Sequence, residues 1–80
     1  MDEARELIAD KTWEWSLFRL GDGSLLLSVV CGTVGVYEID VSLGPETTAA
    51  YERDGISVIE KLAAEVTYSP RKWAAAPAAP

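Results

Sequence analysis

Between Lys11 and Leu43 the chain alternates at a period of two, and in the middle of that stretch both parities are apolar. Period-two alternation with β-branched and aromatic enrichment is the signature of strands. Lys11 to Leu20, Leu25 to Cys31 and Val36 to Leu43 therefore read as three strands. Gly21-Asp22-Gly23-Ser24 and Gly32-Thr33-Val34-Gly35 lie between them as turns. A meander of this kind is apolar on both faces, and two apolar faces must each be covered by something.

The flanks supply helices. Residues 2–10 (DEARELIAD) are good helix formers, with Ala4, Leu7 and Ile8 at i, i+3, i+4 spacing. Gly44-Pro45-Glu46 opens a second helix, because proline suits its first position and an acid its first turn. An apolar stripe through Tyr51, Gly55, Val58, Ile59, Leu62, Ala63 and Val66 carries that helix to about residue 66. Gly55 marks a bend or a close approach to a strand, and Asp54-Gly55 could instead separate two helices. The expected fold is α+β with order α-β-β-β-α: a short N-terminal helix, a three-stranded antiparallel meander, and a long C-terminal helix on one sheet face. Residues 1–70 form the single domain, and 71–80 (RKWAAAPAAP) read as an Ala/Pro-rich mobile tail.

With Asp22-Gly23 as a two-residue hairpin loop, paired indices sum to 45. Phe18, Leu20, Leu25, Leu27, Val29 and Cys31 then share one face with Glu14 and Ser16. Trp13, Trp15, Leu17, Arg19, Leu26, Ser28 and Val30 share the other; a two- or four-residue second turn adds Tyr37, Ile39, Val41 and Leu43 to it, and a three-residue turn would reverse strand three. The tryptophan face is the expected core, under the long helix. The second face, centred on Phe18, Leu27, Val29, Val36 and Glu38, is the candidate interaction surface, partly covered by the first helix.

Chemistry is limited by what is missing. Eighty residues contain no histidine and one cysteine, Cys31. No Ser-His or Cys-His pair is available, no internal disulfide can form, and one thiol without histidine is a poor start for a zinc or iron site. No acidic cation-binding loop is present either, so no metal or cofactor is expected, and no enzymatic activity. Glu14 and Glu38 are placed on edge strands of one face, where charges discourage sheet aggregation. Cys31, predicted beside Glu14 and valines, reads as an inert thiol.

The glycine-bearing turns lack the following helix and Gly-Lys-Ser/Thr that phosphate loops need. Net charge is −6, and only Arg71-Lys72 forms a basic pair. That balance disfavours nucleic acid and anionic membrane surfaces. The acidic start of the chain and the absence of a long apolar run point to a soluble cytoplasmic protein.

A chain of this length buries only roughly 60% of its unfolded surface, and without staples it needs a good core or an oligomer. The leading expectation is a non-enzymatic protein–protein interaction module that homodimerises through its sheet. A second reading is an acidic inhibitor of a basic partner protein. Small size, acidity and lack of catalytic groups resemble, in general character, the immunity proteins and antitoxins that neutralise bacterial toxins. A third is a small-ligand binder using the aromatics Trp13, Trp15 and Tyr37.

Overall fold

The structure is a computed structural model and describes residues 5–31 and 37–80. Its strands are β1 (Arg5–Lys11), β2 (Trp15–Leu20), β3 (Leu25–Cys31) and β4 (Tyr37–Leu43), followed by α1 (Pro45–Asp54), α2 (Ile56–Tyr68), α3 (Pro70–Ala75) and β5 (Ala78–Ala79). They form one five-stranded mixed sheet in the order β1-β2-β3-β4-β5, antiparallel except for the parallel β4–β5 pair.

This corrects the expected α-β-β-β-α order at both ends. Arg5–Lys11 is a strand, although its residues favour a helix. A seven-residue helix is too short to hold itself together in water, whereas an edge strand gains a ladder of bonds from β2. A bulge between Leu7 and Ala9 shifts the register, turning Ile8 and Ala9 toward the core and Leu7 to the opposite face. The single long helix is replaced by three. Gly55, at φ 83° and ψ −153°, adopts a conformation other residues rarely reach, and it separates α1 from α2. Pro70 stops α2 in turn. The Ala/Pro segment supplies α3 and β5. The Gly32–Gly35 turn lies outside the described residues.

The central hairpin has a three-residue loop, Gly21–Gly23, not two. Leu20 N–H donates to Ser24 O at 2.9 Å and Gly23 N–H to Leu20 O at 2.9 Å. Paired indices therefore sum to 44: Leu17 faces Leu27, and Trp15 faces Val29. A slip of one residue flips every side chain of a strand. Strand β3 accordingly presents Leu25, Leu27, Val29 and Cys31 to the side of Trp15, Leu17, Ile39, Val41 and Leu43. That side is the core, closed by Ile59, Leu62, Ala63 and Val66 of α2 at i, i+3, i+4, i+7 spacing.

The hairpin loop is braced by Asp22, whose carboxylate accepts from Ser24 N–H at 2.9 Å and Ser24 Oγ–H at 2.6 Å. The hydroxyl bond first, then the amide bond, favours the ionised form and lowers the Asp22 pKa below its usual 3.8. A depressed folded pKa means the carboxylate stabilises the hairpin above the unfolded value. That contribution is lost as pH falls through the lower folded value. An NMR titration of the Asp22 carboxyl should show its inflection below 3.8, and Ser24→Ala should move it back up.

Candidate functional site

All three helices pack against the core side of the sheet. On the opposite face the register aligns Leu7, Phe18, Leu26 and Ser42 in one row, and Asp10, Ser16, Ser28 and Asp40 in the next. Leu7 is 54% exposed, Phe18 is half-buried, and Leu26 is buried although it lies outside the core cluster. The Arg5 guanidinium sits 5.0 Å from the Phe18 ring centre, a cation–π contact over the apolar row. Along the β3–β4 side the face turns acidic. The Ser28 hydroxyl donates to the Asp40 carboxylate, and Glu38 Oε1 lies 3.4 Å from the same oxygen. Among the described residues no helix covers this face.

Of the five residues expected on the interaction surface, Phe18 and Glu38 lie on the uncovered face. Leu27 and Val29 do not: they are 0% and 1% exposed, beneath α2 in the core. The three-residue loop is the reason. Val36 lies outside the described residues. Leu7 was not anticipated, because its role depends on the bulge. The expected neighbourhood of Cys31 is corrected as well. Its thiol is buried on the core side, and burial raises its pKa. Glu14 is not on the sheet but in the β1–β2 turn, 3.5 Å from Lys11 Nζ.

The three aromatics proposed as a ligand platform do not converge. Trp15 is core at 5% exposure, Tyr37 sits half-exposed opposite Cys31, and Trp13 projects from the turn at 84% exposure. Trp13 instead shares a cleft of about 750 Å³ with Tyr68, at the end of α2. Trp15, Val30, Ala63 and Ala64 form its apolar lining, and Lys11, Glu14, Glu60 and Thr67 its polar lining. Tyr68 is 89% exposed. It falls two residues beyond Val66 and off the apolar stripe, which marks it as exposed but not as part of a site.

Among the described residues no three His, Cys, Asp or Glu side chains group as a metal site. No helix there is long and apolar enough to cross a membrane. Comparison with protein families, with curated proteins and with solved structures finds no match.

Proposed function

We propose that this chain is a non-catalytic protein–protein interaction module that self-associates, through its uncovered sheet face, as a weak homodimer. The observation that carries this reading is the row Leu7–Phe18–Leu26 on a face that no helix packs against among the described residues. In that row Leu7 is exposed, Phe18 half-buried and Leu26 buried, and a partly exposed apolar strip bordered by charge is a common form of interaction surface. The absence of histidine from the whole chain supports a role without acid–base catalysis.

Size bounds the affinity. Four strands about 4.8 Å apart and roughly 20 Å long make a face of about 400 Å². That is half the roughly 800 Å² per partner of a standard interface. The dimer is thus expected to be reversible, with a dissociation constant in the micromolar range or weaker. Light scattering coupled to size exclusion, from about 1 µM to several hundred µM, should record a mass rising from monomer toward dimer. Phe18→Glu should hold the protein monomeric across the range without unfolding it. A wild-type mass constant at the monomer value throughout defeats the reading.

A further inference from the structure

The turn joining β1 to β2 holds Trp13 at φ 69°, the left-handed region that glycine and asparagine enter readily and tryptophan does not. The side chain gains little in return, since 84% of it is in water. Burial therefore does not explain this residue here. Glycine would relieve the backbone, and a smaller polar residue would reduce the apolar surface facing solvent. Tyr68, across the same cleft, is likewise almost fully exposed. Two large aromatics, costly to expose and rich in binding energy when covered, occupy one cleft and contribute little to the core.

The charges around them select the ligand. Glu14 is already paired with Lys11, the only basic residue lining the cleft among the described residues. Glu60 makes no ion pair among the described residues. The last turn of α2, which brings Thr67 and Tyr68 to the cleft, contains no basic residue. Lys61 and Lys72 line the neighbouring groove, not this one. Two exposed aromatics and an unpaired carboxylate lining one cleft suit a cation, and a planar guanidinium fits aromatic faces best.

We propose that the Trp13–Tyr68 cleft binds an arginine side chain presented by a basic protein partner. The chain's net charge of −6 favours approach of such a partner. The site is built from the β1–β2 turn and α2, so it stands independently of self-association through the sheet face.

The test is an NMR titration with a blocked Gly-Ser-Arg-Ser-Gly peptide, its citrulline counterpart and argininamide. The arginine peptide should shift the Trp13 indole N–H together with Tyr68 and Glu60 signals, saturably. Citrulline keeps the shape and loses the charge, and should bind about tenfold or more weakly, a difference of about 1.4 kcal/mol. Argininamide should bind more weakly than the peptide; equal affinity would assign the site to a free small cation and overturn the protein partner.

Trp13→Gly is expected to melt at or above the wild-type temperature while losing the interaction, and Glu60→Gln should weaken binding with no change in melting. Citrulline binding as tightly as arginine, or shifts that miss Trp13 and Tyr68, overturns the proposal. So does a clear loss of stability in Trp13→Gly, which would give the indole a structural role.

Discussion

Leu27→Ala should cost about 2–5 kcal/mol, the range for truncating a fully buried leucine. Leu27 is 0% exposed, between Leu17 on one side and Val41 on the other. An 80-residue domain has about 4–12 kcal/mol of stability in total. The substitution thus removes a large share and can leave much of the protein unfolded at 37 °C.

Phe18→Ala, one residue along from Leu17 in β2, should cost less than about 2 kcal/mol, because its ring is only half-buried and faces away from α2. Urea unfolding followed by tryptophan fluorescence, at protein concentrations too low for self-association, measures both. The contrast tests the register directly. Were paired indices to sum to 45, Phe18 and Leu27 would be cross-strand neighbours on one face and would respond alike. Equal losses at the two positions would contradict the three-residue loop.

Gly44→Ala should detach the C-terminal segment from the sheet edge. The Gly44 backbone has φ −77°, which any residue can adopt, so the demand is one of space. A Cβ placed there would lie 2.6 Å from the Pro80 carbonyl carbon and 2.7 Å from Ala79 O. Those atoms cannot stay where they are. Three bonds depend on them or on their neighbours: Ser42 N–H to Pro77 O at 3.1 Å, Gly44 N–H to Ala79 O at 2.8 Å, and Thr47 N–H to Pro80 O at 2.6 Å.

At about 0.5–1.5 kcal/mol net per bond, with Ala79 also leaving its buried position, the loss is expected to be about 2–4 kcal/mol. Hydrogen exchange should show faster turnover at the amides of Ser42, residue 44 and Thr47, with the β2–β3 amides unchanged. In a chain shortened to Ala76 the same substitution should cost little, because the obstructing atoms are gone. A full cost in the shortened chain would place the strain elsewhere.

Much of the candidate site depends on features that local pattern does not encode. Glu38 was legible as outward-facing because Tyr37–Leu43 alternates cleanly between apolar and other positions, whereas Phe18 followed only from lying at the opposite parity to Trp15 and Leu17 in WSLFRL. Leu25–Cys31 reads LLLSVVC, apolar at both parities, so its alternation carries no sign of which side faces the helices. One extra loop residue decided it, and with it the exchange of Leu27 and Val29 for Leu26 and Val30 on the open face. The Trp13–Tyr68 cleft joins residues 55 positions apart in sequence. Nothing at either end announces the other.

The sequence by itself determined what chemistry is available and which segments must be buried. A chain without histidine and with one cysteine cannot assemble a Ser-His or Cys-His pair or an internal disulfide. The stripe Ile59, Leu62, Ala63, Val66 and the alternation Ile39, Val41, Leu43 each have one apolar side, so their burial follows from hydrophobic transfer alone.

Tertiary structure decided everything that rests on a choice of partner. Arg5–Lys11 pairs as a strand because the free edge of β2 offers bonds that a short helix cannot match. Ala78–Ala79 joins β4 because Gly44 leaves room for it. The apolar meander with which the sequence began therefore keeps one face in the core and one face without a helix over it among the described residues, and the length of a single turn sets which residues lie on each.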